Sequence, residues 1–167
     1  MNGQILFSTG KCVFGVVLVA RSERGVCAIL LGDDRRELER DLRQRFAHDE
    51  VHEAHVGLEP LVSEVARFLA APLTPLELPL DLRGSALEMR VWNALREIPP
   101  GSTETYSEVA RRLGSVATAK EVGEACATNP LAGAVPCHRV VRKDGSLGGY
   151  RWGVRRKRAL LERERGA

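Results

Sequence analysis

"GSTETYSEVARRLGSVATAKEVGEACA", residues 101–127, decides how the second half of this 167-residue chain folds. It contains two S/T-x-x-E boxes, Thr105…Glu108 and Thr118…Glu121. In such a box the hydroxyl accepts from a backbone N–H of the first turn, and the carboxylate reaches back to the N–H of the capping residue. Each box therefore opens a helix. Gly114 gives the first of these helices a natural stop. A third box, Ser85…Glu88, opens an earlier helix that carries Leu87, Val91 and Leu95 on one face and closes at "IPPG". Two short helices joined by a few residues suit a helix-turn-helix. The second of them carries Ala119, Gly123, Ala125 and Ala127. So slender a helix suits a minor groove about 6 Å wide, and it equally suits close packing against another helix.

Working back toward the start, "QILFST", "VFGVVLVA" and "VCAILL" are short β-rich runs between glycine and charged turns, which predicts an antiparallel meander. "DDRRELERDLRQRF" places Leu38, Leu42 and Phe46 at four-residue spacing behind an aspartate cap, the pattern of a helix. A second helix, "LVSEVARFLA", stops before "APLTPLELPLDLRG". That proline-rich stretch reads as a linker and puts a domain boundary at Arg83–Gly84, giving domains 1–83 and 84–167.

Hydrophobic residues make up 44% of the chain and charged ones 28%, the profile of a folded protein. No apolar run is long enough to span a bilayer, and the start lacks the basic-then-apolar pattern of a secretory leader. The expectation is a cytoplasmic protein in a reducing milieu, with no membrane partner. Up to Arg83 there are 10 basic and 13 acidic residues; from Gly84 onward there are 15 and 9. A basic second half points to a polyanionic partner contacted there. The run Arg155, Arg156, Lys157, Arg158 reads as a solvated helix face paired with Glu162 and Glu164, with a phosphate grip as the alternative.

"AVPCHRVVR", residues 134–142, carries the chemistry. Pro136 fixes its own φ and keeps Val135 extended, which holds Cys137 in place on an apolar strand. Neighbours on a strand point to opposite faces, so His138 reaches the thiol through a bridging water or a tight turn. A thiol of pKa about 8.5 needs a base or a favourable field to become nucleophilic, and a carboxylate behind the imidazole would orient it. The other cysteines, Cys12, Cys27 and Cys126, form no CxxC pair and read as small buried hydrophobes. His48, His52 and His55 lie in "HDEVHEAH", read as a solvated helix or loop, and their spacing matches no zinc template. No metal or cofactor is expected.

"PCHRVV", with Asn129 eight positions before the cysteine and "GSLGGYRWG" after it, resembles the O6-alkylguanine-DNA alkyltransferases. The likeness also covers "GSTETYSEVARRLG", the closing "RKRALLERE" and "LVARSERGVCAILLGDD" in the first half. It implies an α+β fold, with an N-terminal ribonuclease-H-like α/β domain and a helical C-terminal domain holding a helix-turn-helix. It also implies direct reversal of DNA damage. The protein, a monomer on the minor groove of double-stranded DNA, would move an alkyl group from O6-alkylguanine, and from O4-alkylthymine, to its own cysteine in a single turnover. A non-enzymatic lesion sensor is the alternative.

By that resemblance Cys137 is the alkyl acceptor, His138 the base acting through water, and Glu164 the carboxylate that orients it. Asn129 braces the recognition helix against the cysteine strand, and Tyr106 donates to N3 of the flipped guanine. Backbone groups near Val140 and Arg151 read the guanine edge, Gly148 and Gly149 permit a close turn, and Tyr150 and Trp152 wall the pocket. Thr105, Thr118, Ala119, Lys120 and Gly123 face DNA. Lys120 stands where the family has an intercalating arginine, and a point charge replaces a stacking plane less well. Trp152, where some relatives carry a small residue, is expected to narrow the pocket against bulky alkyl groups.

Overall fold

Ile5 and Phe7 are buried while Gln4 and Lys11 are exposed along strand β1 (Gln4–Cys12), so one face of the strand is committed to a core. The computed structural model describes residues 3–165. β2 (Gly15–Arg21) and β3 (Val26–Gly32) follow as the antiparallel meander that the turn spacing predicts, with Phe7 opposite Ala20 and Leu18 opposite Leu30. Helix α1 (Arg35–Arg45) starts where Asp34 accepts from the Arg36 N–H at 2.9 Å, and it buries Leu38 and Leu42 against β3 and β2. α2 (Glu59–Ala70) lays Val62, Val65 and Leu69 over β1 and β2. The approach is close at Gly10, where an added Cβ would stand 2.7 Å from Val62 Cγ1. Glycine there lets the helix reach the sheet.

Two expectations need correction in this half. "HDEVHEAH" is neither helix nor loop throughout: Glu50–Glu53 form β4, which runs parallel to β1 and completes a sheet of order β3-β2-β1-β4. Val51 is its one buried residue, so the segment has no apolar stripe for a helix to bury. The hydrogen bonds of β1 hold it as a strand instead. His52 and His55 lie beside Glu50 and Glu53, at 3.8 and 3.4 Å. The proline-rich stretch is also not a free linker over its whole length. Val26 N donates to Pro79 O and Asp81 N to Val26 O, while Ser22 Oγ donates to Asp81 Oδ2 at 2.6 Å. Gly25, at φ +150°, makes room for this, since a Cβ would meet Pro79 O at 2.4 Å.

Internal contacts divide the chain into one unit up to Leu82 and a second from Arg83. In the second unit all three capping boxes close in both directions. They start α3 (Ala86–Leu95), α4 (Tyr106–Arg112) and α5 (Ala119–Ala127). Each box satisfies donors that would otherwise be orphaned, worth about 1 kcal/mol relative to alanine. Trp92 of α3, fully buried, donates Nε1–H to Ala125 O at 2.9 Å and pins α5 to α3. Arg112 of α4 reaches Ala94 O at 2.8 Å. α4 and α5 pack on each other across a connection in which Gly114 takes φ +69°. A two-residue strand β5 (Glu104–Thr105) pairs in parallel with β6 (Val140–Val141), and α6 (Val154–Glu164) closes the unit over the turn that holds Cys137. Among the described residues, no helix is long and apolar enough to cross a membrane.

Candidate functional site

Cys137 does not lie on a strand. Residues Cys137–Arg139 form a single 3₁₀ turn after Pro136, with Cys137 N donating to Val135 O at 2.8 Å and the Val140 N–H donating back to Cys137 O. Proline at φ −81° and ψ 64° turns the chain where the apolar pattern alone suggests it runs straight. The turn puts both Cys137 and His138 in the interior, at 3% and 0% exposure.

Asn129, fully buried, locks the turn. Its Oδ1 accepts from Leu131 N at 2.8 Å, and its Nδ2 donates to Val135 O at 3.0 Å and to Cys137 Sγ at 3.2 Å. An amide N–H on the sulfur favours the thiolate. Burial works harder in the other direction and, with the neighbouring Cys126 thiol, holds the Cys137 pKa well above the ordinary thiol value. The resting group is a neutral thiol.

Behind it lies a buried charged cluster. His138 Nε2 and Glu164 Oε1 are 2.6 Å apart, and Arg139 Nε donates to both Glu164 oxygens at 2.8 and 3.0 Å. Arg139 Nη1 also donates to Ile98 O at 2.6 Å. Burial pushes the His138 pKa below the usual imidazole value, and the hydrogen bond to the Glu164 carboxylate only partly offsets it. Burial pushes Glu164 up, but the bonds from His138 and Arg139 outweigh it and keep the carboxyl below its usual range. The state at neutral pH is a neutral imidazole on an ionised carboxylate. Among the described residues, His138 Nδ1 and Tyr150 Oη are buried atoms with no hydrogen-bond partner. Their rings meet edge to face, 6.5 Å between centroids.

The thiol opens on a cavity of about 550 Å³, within the usual size range of a small-molecule pocket. Tyr106, Tyr150 and Arg151 line it with Cys137, and α5 contributes Ala119, Lys120 and Gly123. Burial and the two nearby thiols raise the Tyr106 pKa, while Arg142 opposes them, so the phenol stays a proton-bearing donor. Gly149 lines the cavity as well. Gly148, at φ +75°, stands just behind, where a Cβ would sit 3.2 Å from Tyr106 Oη.

Other expected positions lie off the cavity. Trp152 is 7% exposed and stacks edge to face on Tyr150 at 5.3 Å, with the Arg151 guanidinium 5.1 Å over its ring. It backs the pocket wall rather than narrowing the pocket. Val140 contributes a carbonyl that accepts from Lys157. Thr105 and Thr118 are engaged as helix caps. Lys120, by contrast, lines the cavity, with its side chain 86% exposed and 4.0 Å from Glu124.

Two functional features, Lys157 and Cys126, escape a reading of the sequence, and Glu164 pairs otherwise than its place beside the basic run suggests. Lys157 is not part of a solvated face: its side chain is fully buried, and Nζ donates to Val140 O at 2.6 Å, Leu147 O at 2.5 Å and Gly149 O at 3.2 Å. Burial lowers its pKa to about 8. It ties the 147–149 loop, one edge of the cavity, to β6. Glu164, likewise, pairs with His138 and Arg139 inside the unit rather than with the basic run. Cys126 is half-buried and lines the cavity with Cys137, so it is more than a core filler. No sequence signal distinguishes Lys157 from its neighbours, because its partners are carbonyls of a turn eight or more residues away.

The DNA-binding domain model of the 6-O-methylguanine DNA methyltransferase family matches residues 86–166. The chain belongs to that family. It is 48% identical over 163 residues to the bifunctional transcriptional activator/DNA repair enzyme Ada of Escherichia coli, covering 98% of this chain and 46% of that protein. The chain thus spans a little under half of that relative's length. With the inducible methylated-DNA–protein-cysteine methyltransferase of Bacillus subtilis it shares 39% identity over 125 residues, 75% of this chain and 70% of the relative. The solved structure of Mycobacterium tuberculosis OGT in complex with DNA superposes with a TM-score of 0.76 at 31% identity, over 97% of this chain and 92% of the other.

Proposed function

We propose that this protein repairs alkylated DNA by moving the alkyl group from O6 of guanine, and from O4 of thymine, onto its own Cys137, once per molecule. The observation that carries this reading is a buried thiol, gripped by Asn129 and opening on a base-sized cavity, beside a histidine whose outer nitrogen is free.

In the proposed mechanism the damaged base leaves the stack and enters the cavity. A water between Cys137 Sγ and His138 Nδ1 carries the thiol proton to the imidazole, and Glu164 stabilises the resulting charge. The thiolate attacks the alkyl carbon; the C–S bond forms as the C–O6 bond breaks and its electrons pass to the guanine. Tyr106 hydrogen-bonds N3 and stabilises the developing negative charge. The base takes up a proton from solvent, and His138 returns its own. A thioether has no carbonyl for water to attack, so the cysteine is spent. Val140 and Arg151 meet the guanine edge and Tyr150 its face, with Gly148 and Trp152 supporting that wall.

The α4–α5 pair acts as the helix-turn-helix, with α5 on the minor groove and Thr105, Thr118, Ala119, Lys120 and Gly123 toward DNA. The slender α5 and its place on the cavity rim support this. The first unit is of ribonuclease-H-like type, and the protein acts as a monomer in the cytoplasm. A sensor that only binds lesions has no use for the acceptor thiol. Single-turnover transfer of a labelled methyl group from an O6-methylguanine duplex to protein tests the reading. It requires label to plateau at one methyl per chain, and label that stays on the DNA refutes it.

A further inference from the structure

We propose that Cys126 and Cys137 together form a dithiol site for trivalent arsenicals. The two thiols come from different elements, the last turn of α5 and the 3₁₀ turn after Pro136, yet both face one cavity. The Cys126 thiol is near enough to act electrostatically on Cys137. Cys126 is half-buried and Cys137 is 3% exposed, and both line the cavity that a ligand would enter.

Sulfur is a soft ligand that selects soft, thiophilic centres. A trivalent organoarsenic oxide condenses with both thiols: two As–S bonds form, the As–O bonds break, and the two thiol protons leave in one molecule of water. Arsenic stays trivalent, so no oxidant or reductant is needed. Closing the second As–S bond is intramolecular, and pairing of that kind raises affinity over a single thiol by on the order of 10²-fold or more. The cavity, about 550 Å³ and lined in part by Tyr106, Ala127 and Tyr150, has room for an aryl group on the arsenic. Such an adduct occupies the acceptor sulfur, so it also stops alkyl transfer; that consequence rests on the function proposed above.

The probe is phenylarsine oxide, added to the full chain and followed by intact mass and peptide mapping. The expected result is one phenylarsenic per chain, bridging the peptides that hold Cys126 and Cys137. 2,3-Dimercaptopropanol reverses it and an equal concentration of 2-mercaptoethanol does not. Cys126→Ser and Cys126→Ala, each checked for folding by circular dichroism and thermal melting, are expected to weaken capture about 10²-fold. An adduct that maps to Cys12 or Cys27, or that forms equally well in folded Cys126 variants, overturns the site. Methyl transfer from an O6-methylguanine duplex is measured on the same untreated sample. Capture without methyl transfer sinks the proposed function and leaves the dithiol site standing. Methyl transfer without capture does the reverse.

Discussion

His138 Nε2 and Glu164 Oε1 stand 2.6 Å apart in the interior, 26 residues apart in the chain, and the contact leaves His138 Nδ1 as the only ring nitrogen free to serve Cys137. Glu164→Gln would keep the shape, lose the charge and leave Arg139 buried opposite a neutral amide. A general base of this kind contributes typically 10²–10⁴-fold, so single-turnover methyl transfer should slow by roughly 10²-fold. The melting temperature should also fall, because an unpaired buried charge costs about 3–5 kcal/mol. A Gln variant that transfers at the parental rate would remove Glu164 from the mechanism.

Stability should decline on the acid side. His138 and Glu164 both have folded-state pKa values below their ordinary ones. The unfolded chain therefore binds more protons than the folded one as pH falls. The stabilisation is fully present above the ordinary histidine value of 6.5. It erodes as pH drops through that value, and the carboxyl share goes below its ordinary 4.5. Urea midpoints measured from pH 8 to pH 4 check this; a flat profile down to pH 5 would contradict it.

Lys157→Met should destabilise the second unit and slow repair. It removes the common donor to the carbonyls of Val140, Leu147 and Gly149. Each unsatisfied buried group costs about 1–3 kcal/mol, partly offset because an ammonium no longer has to be buried. A net loss on the order of 3 kcal/mol is expected in chemical denaturation, together with a slower transfer rate. Parental stability and rate would mean that the 147–149 loop holds itself in place.

Lys120→Arg should raise the rate on duplex DNA. Lys120 is 86% exposed at the start of α5, with Glu124 4.0 Å away one turn on. A planar guanidinium can fill the place of a displaced base, which an ammonium cannot. The gain should appear with duplex and vanish with the free O6-methylguanine base, where nothing needs flipping. An equal effect on both substrates would place Lys120 in the pocket chemistry instead.

The local parts of this molecule are readable from its sequence. Three S/T-x-x-E boxes mark three helix starts to the residue, because a capping box is satisfied within four residues. Asp34 and the Leu38, Leu42, Phe46 spacing mark α1 in the same way. Non-local decisions were hidden. β4 depends on register with β1, about 46 residues earlier. Lys157 looks like Arg155, Arg156 and Arg158 until the turn carbonyls it binds are in place. Glu164 carries no pattern of its own and follows only from the family resemblance. Cys126 gains significance only when α5 and the Cys137 turn meet across one cavity. Trp152, which the resemblance sets on the pocket wall, stacks edge to face behind Tyr150.

The most direct measurement is the intact mass of the protein after reaction with excess duplex carrying O6-methylguanine, beside a Cys137→Ser control. The account predicts a gain of a single methylene, mapped to the Cys137 peptide, reached once and not exceeded, and absent from the control. An unchanged mass with tight binding to the lesion, or methylation that persists in Cys137→Ser, would contradict it.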